Sequence, residues 1–355
     1  MFGGTVRLQG TCSLTVLLMT SERRKTMSDY LLRDYNDTLS YVERVYRGME
    51  AFHPVIITCA ITGGFQGKET NPNLPETIDE QVQSAVDAYN AGAAMVHIHA
   101  RDPERPGDMS SDPEIYREIN QRIREKCPDL IINNTAMGGR KIGKDGRLSN
   151  LLLTSLYANP EVASIDLMLD YQRVKHKKRP APLTGRDEDE MLQHFYVIQN
   201  EDALEVMHEF IKRGIMPEYE LFDMTGIKML RRLIATCSEE IHRPYWVSLL
   251  FGGNGMMPSV TSIIEAASLL PKDAMVNIIG IGPAQIPMIA AGMLLGHNVR
   301  VGMEDNAYYS RGRLLKSNAE MVERVVRLAG DLGRSVASPA QARQMMGLGE
   351  PRTEF

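Results

Sequence analysis

Eight short apolar runs spaced by helix-like segments set the first limit on what this chain can become. They lie at residues 55–64 (VIITCAITGG), 95–102 (MVHIHARD), 130–135 (LIINNT), 162–169, 216–223, 245–252, 275–282 and 298–305 (NVRVGMED). Short β-branched runs bounded by turn residues suit strands buried on both faces. Helix signals fill the gaps. Thr77 with Glu80 is a capping-box pair, and Asp112 followed by Pro113 opens a segment with Ile115, Ile119 and Ile123 at i+4 spacing. Residues 148–158, 201–213, 226–237, 259–270, 284–295 and 314–332 continue the alternation. Eight such units match the size of a (β/α)8 TIM barrel, with a doubly wound open sheet as the rival.

The placement of polar residues favours the barrel. His99, Thr135, Asp166, Glu220 and Glu304 fall at the C-terminal ends of their runs, and in such barrels that end carries the chemistry. The expected organisation is an N-terminal extension over 1–53, helical across 27–49, then a catalytic barrel over 54–348 and a tail over 349–355. Residues 1–26 read as an extension outside the ordered body, because their apolar stretch CSLTVLLM is short and lacks a small-residue cleavage site.

Composition narrows the classes of function. A chain of 355 residues with 43% hydrophobic content can bury a large core. A formal charge of −5 gives no general pull toward nucleic acid or anionic membranes. No run approaches the ~18 apolar residues of a membrane span. Cys12, Cys59, Cys127 and Cys237 are far apart and form no CxxC pair, so neither a disulfide framework nor a thiolate metal site is expected, and a reducing cytoplasm fits.

Two stretches break the beat. Residues 171–200 make a long connection holding Pro180, Pro182, the basic cluster Lys175, His176, Lys177, Lys178 and Arg179, and an acidic run at 187–190. The cluster is either a solvated charge run or a phosphate binder. The other is FGGNGMMPS (251–259), a glycine-rich turn into a helix where backbone amides can meet a phosphate.

The chemistry gathers in MVHIHARD. Residues i and i+2 of a strand share a face, so His97 and His99 stand side by side and can offer two imidazole nitrogens to one metal ion. In NVRVGMED read as a strand, Arg300, Gly302 and Glu304 share the inward face. Either Arg300 and Glu304 form a structural ion pair, or Glu304 is a third ligand and Asp305 stays free to take a proton. Two histidines and one glutamate leave an open position, as catalytic zinc requires.

On these residues the chain resembles the β-keto acid cleavage enzyme family. The resemblance runs from about residue 55 to about residue 348. It rests on AITG followed by NPNLP (71–75), AGAAMVHIHARD, IREKCPDLII with a following GG, GIGPAQIP, and GHNVRVGMEDN (296–306). It implies a zinc-dependent barrel acyltransferase that takes a β-keto acid and acetyl-CoA to acetoacetate and a new acyl-CoA by a retro-Claisen step. By matched position it implies that His97, His99 and Glu304 hold Zn2+, that Asp305 removes a carbon-bound proton with Arg300 as its orienting partner, and that Glu220 lies near the reacting centre. It implies substrate contacts from Thr135, Gly139, Ser164 and Asp166, which match a family serine, glycine, threonine and asparagine. Phe65 stands where the aminohexanoate-cleaving member carries a glutamate that receives an ammonium, so a neutral or apolar substrate tail is expected, with a quaternary ammonium as the cation a ring face accepts. A homo-oligomer, dimer or tetramer, is implied as well. Two rival readings remain. A metal-dependent aldolase or acyl-CoA lyase on the same barrel needs no acetyl-CoA, and a non-catalytic metal-containing barrel leaves Asp305 and Arg300 idle.

Overall fold

The computed structural model describes residues 38–136, 140–142, 154–237 and 241–355. Gly139, the extension 1–26 with Cys12, and residues 148–153 of one expected helix lie outside the described residues. In chain order the strands are β1 (Ile57–Ala60), β2 (Met95–Ile98), β3 (Ile131–Thr135), β4 (Arg140–Ile142), β5 (Val162–Leu167), β6 (Leu169–His176), β7 (Glu190–Val197), β8 (Met216–Leu221), β9 (Tyr245–Phe251), β10 (Ala274–Gly280), β11 (Asn298–Val301), β12 (Tyr308–Ser310) and β13 (Arg313–Leu314).

Eight of them close into a parallel barrel in the order β1-β11-β10-β9-β8-β5-β3-β2. Each expected apolar run supplies one of these strands, and closure excludes the open sheet. The edges of β1 meet both neighbours, Ile57 opposite Val299 and Thr58 opposite Met95. The helix starts follow the sequence signals. Thr77 and Glu80 form the capping box of the helix Ile78–Asn90, and Asp112 caps Pro113–Lys126 with proline in its first turn.

Strand alternation sorts the side chains. Ala163, Ile165 and Leu167 of β5 face outward and pack with Phe210 and Leu230 of the helices Asn200–Arg213 and Met224–Thr236. Inside, Ile56, Met95, Ile131, Val162, Met216, Trp246 and Met275 fill the N-terminal end together with Met345 and Met346 of the helix Pro339–Met346. Burying each such side chain stabilises the fold by roughly 1.5–3 kcal/mol, so this end is a plug. Above it lies a layer of buried polar side chains, Thr58, His97, Asn133, Glu218, Ser248 and Asn277. A polar layer cannot be there for stability alone.

The connection after β5 departs from expectation. Instead of an irregular loop over 171–200, β6 and β7 pair antiparallel from Leu169 opposite Val197 to His176 opposite Glu190, and β4 adds a third strand. The tip of this hairpin is pinned to loops of the barrel. Arg179 bonds Glu69 at 2.5 Å and Glu76 at 2.7 Å, while Arg186 reaches Glu69 at 3.3 Å and Asp108 at 3.2 Å. The basic cluster is therefore divided. Arg179 is buried among carboxylates, which excludes it as a phosphate binder, and Lys175 pairs at the surface with Asp189 at 2.7 Å.

Smaller differences concern ends. Thr154–Ala158 is a 3-10 turn, and the helix expected over 314–332 begins at Asn318 because Ser317 caps it and Arg313–Leu314 pairs with β12. Of the helical lead-in, Thr38–Tyr46 is helix, with Tyr41 buried. Cys59, Cys127 and Cys237 are buried and form no disulfide among the described residues. No helix among the described residues is long and apolar enough to cross a membrane.

Candidate metal centre and active site

The polar layer opens at the C-terminal end of the barrel into a cavity of about 1140 Å³. His97 and His99 reach it from β2 and the turn that follows, their Nε2 atoms 3.2 Å apart and their rings edge to face. Glu304 arrives from β11, but not as an extended strand would bring it. The strand stops at Val301, and Gly302 turns the chain with φ +143°. A Cβ at Gly302 would stand 2.0 Å from the Ala60 carbonyl oxygen, so only glycine lets this turn press against β1. The turn corrects the expected alternation. It brings both Glu304 and Asp305 onto Arg300, whereas neighbours in a strand point to opposite faces.

Glu304 Oε1 lies 3.3 Å from His99 Nε2 and 3.7 Å from His97 Nε2. Ligand bonds of about 2.0–2.1 Å in a tetrahedral site imply ligand separations of roughly 3.3 Å. The three edges, 3.2, 3.3 and 3.7 Å, fit one cation. Two further observations agree. Glu304 Oε2 is buried without a hydrogen-bond partner, and the five carboxyls Asp166, Glu218, Glu220, Glu304 and Asp305 surround a single guanidinium, Arg300. A divalent ion would neutralise part of that crowding of acidic groups, and protons raised onto Asp166, Glu220 and Asp305 offset the rest.

Electrostatics assigns protonation. Burial pushes His97 well below its usual value, so it stays neutral and able to bind a metal. Burial raises Glu304 too, but Arg300 and the two histidines outweigh it and hold this carboxyl well below the usual range. Arg300 donates to Asp305 twice, at 3.1 and 3.0 Å, to Glu220 at 2.8 Å and to Glu304 at 2.5 Å. Asp305 is nonetheless pushed up to about 7, by burial first and the Glu304 charge next, against the pull of Arg300. Asp166 rises to about 7 for the same leading reason and hydrogen-bonds Glu220, itself raised well above its usual value by burial. Such a pair shares a proton.

Of the remaining expected residues, Thr135, Asp166, Glu220 and Phe65 line the cavity. Phe65 is 40% exposed and meets the His176 ring edge to face, at 6.2 Å. Ser164 sits one step deeper, opposite Glu218, buried and outside the cavity lining. Sequence reasoning passed over Glu218 and Asn133. The signal was present, since Glu218 lies two residues before Glu220 in one strand and must share its face. It also passed over β12 and its turn, where Tyr308, Tyr309 and Arg311 line the outer cavity with Arg324, Lys175 and Lys177.

Comparison with known proteins adds a family. A model described as beta-keto acid cleavage enzyme matches residues 54–348. A 3-keto-5-aminohexanoate cleavage enzyme of Acetoanaerobium sticklandii is 33% identical over 295 residues, covering 83% of this chain and 98% of that protein. A 3,5-dioxohexanoate:acetyl-CoA acetone transferase of Paraburkholderia graminis is 30% identical over 324 residues, covering 85% and 98%. Among solved structures, the apo structure of ObcA is similar in fold, with a TM-score of 0.59 at 20% identity over 78% of this chain and 66% of that one.

Proposed function

This chain belongs to the beta-keto acid cleavage enzyme family, and from that premise we propose that it condenses a β-keto acid with acetyl-CoA and cleaves the product to acetoacetate and a new acyl-CoA. The observation that carries the reading is the convergence of His97, His99 and Glu304 beside an Arg300–Asp305 pair in the lining of one large cavity. Zn2+ suits the ligand set, and when bound it would polarise a ketone oxygen as a Lewis acid.

The chain's own residues do the rest. Asp305 takes a proton from the carbon between the keto and carboxyl groups, a task for a buried carboxylate that Arg300 holds in place beside the cavity. Arg300 fixes that carboxylate with two bonds and leaves it free lone pairs. The enolate carbon attacks the thioester carbonyl and CoA leaves as thiolate. The thiolate then adds to the original keto carbon, the bond between that carbon and the former α-carbon breaks, and Asp305 returns the proton to the acetoacetate formed. Asp166 and Glu220, both raised by burial and lining the cavity, present carboxyl oxygens to the substrate.

A cavity of about 1140 Å³ exceeds the 300–1,000 Å³ typical of a single small ligand, which supports two reactants. Lys177, Arg311 and Arg324 on its lining supply counter-charge for a polyanionic CoA. Phe65 supports a neutral, apolar or quaternary ammonium tail over a primary ammonium. The test is to incubate the purified protein with acetyl-CoA and β-keto acids bearing amino, trimethylammonium and uncharged tails, and to measure acetoacetate. Acetoacetate is expected with the last two, and Phe65→Glu moves kcat/KM toward the amino substrate. Cleavage without acetyl-CoA would instead make the protein a lyase or aldolase.

A further inference from the structure

The carboxylate of Glu218 is 0% exposed in the polar layer beneath the metal centre, and the mechanism above does not use it. Oε1 accepts from Ser248 Oγ and Oε2 from Asn133 Nδ2, both neutral donors. Arg300 acts on it through space, but both of its hydrogen-bond donors are neutral, which leaves room for a further partner. The imidazole of His97 faces it, with Nδ1 3.9 Å from Glu218 Oε2. Neither His97 Nδ1 nor Asn133 Oδ1 has a partner at good hydrogen-bond geometry, although the Asn133 side chain lies close enough to act on the His97 ring. Glu218, Glu220 and His97 also lie within ligand distance of one another. Glu220 is held by Arg300, however, and both oxygens of Glu218 already accept bonds, so this cluster suits orientation and not a second ion.

A neutral imidazole carries one N–H. For Nε2 to present its lone pair beside His99 and Glu304, the proton must sit on Nδ1, and that N–H needs an acceptor. We propose that Glu218 is the positioning residue of the metal centre, keeping the His97 proton on Nδ1 by its charge 3.9 Å away and by holding the Asn133 amide through Nδ2, so that Nε2 is offered to a divalent cation. A cation on Nε2 makes the Nδ1–H more acidic and gives Glu218 the charged partner that its neutral donors do not supply. The inference rests on the functional reading only through the His97, His99 and Glu304 triad.

Two measurements on the full chain test it. In the metal-free wild type, nitrogen-15 shifts of the His97 ring, assigned by their loss in His97→Ala, should report protonation at Nδ1; protonation at Nε2 overturns the proposal without need of any Glu218 variant. Glu218→Gln keeps the shape and removes the charge. Its Zn2+ dissociation constant, measured by competition with a chromophoric chelator, should rise about 10- to 100-fold, while the metal-free variant melts no lower than wild type. A constant within twofold of wild type, with His97→Ala losing the metal, overturns the role of Glu218. Unchanged binding in His97→Ala as well would mean that the triad reading itself has failed.

Discussion

Arg300 meets three carboxylates at once, and its two bonds to Asp305 decide how that residue can act. Replacing Asp305 by Asn keeps shape and bonding but removes the proton acceptor. Asp305→Asn should retain the metal and lose turnover by roughly 10²-fold or more, as removal of a general base does. Metal analysis and initial rates on the same preparation check both halves, and wild-type turnover would take the base role away from Asp305. Asp166 gives a second expectation. Its folded value, about 7, stands above that of an unfolded aspartate, so the folded state binds the extra proton and its contribution to stability is lost as pH rises from about 4 through 7. Asp166→Asn abolishes that loss. In urea denaturation of the metal-free protein, the variant should gain on wild type by up to a few kcal/mol between pH 5 and pH 8. A gap independent of pH would show that Asp166 ionises normally.

At the scale of elements, two local devices place the site. One is the Gly302 turn, and the other is the β6–β7 hairpin, locked by Arg179 and Arg186 against Glu69, Glu76 and Asp108. Removing one partner of a buried ion pair leaves its carboxylates uncompensated, so Arg179→Met should destabilise the protein by about 3–5 kcal/mol, read in chemical denaturation. A change below about 1 kcal/mol would mean that the hairpin does not depend on this lock. Neither device was legible in the chain. The eight strands were, because parallel strands buried on both faces write themselves as β-branched runs, and the i, i+2 spacing of His97 and His99 carried over directly into geometry. The hairpin was hidden because its half-solvated strands, LDYQRVKH and EMLQHFYV, mix charge with apolar residues and flank a proline-containing tip. The Gly302 turn was hidden because a positive φ is a property of contact with Ala60, residues away in sequence. Glu218 was within reach by parity with Glu220 but lies one step below the strand end where the other polar residues gather.

The described residues form a barrel with one end plugged by methionines and the helix Pro339–Met346, and the other end open over His97, His99 and Glu304. Anchoring the polar layer on a dry plug fixes its side chains while the βα loops shape the cavity. The central claim is that the carboxyl carbon and α-carbon of the β-keto acid pass to the acetyl group in that cavity while CoA passes to the remaining acyl chain. The most direct measurement supplies acetyl-CoA labelled with carbon-13 in both acetyl carbons, together with an unlabelled β-keto acid that the enzyme accepts, and reads the products by NMR. The account expects acetoacetate labelled at C3 and C4 only, and a new acyl-CoA free of label. Unlabelled acetoacetate, or label in the new acyl-CoA, would contradict it.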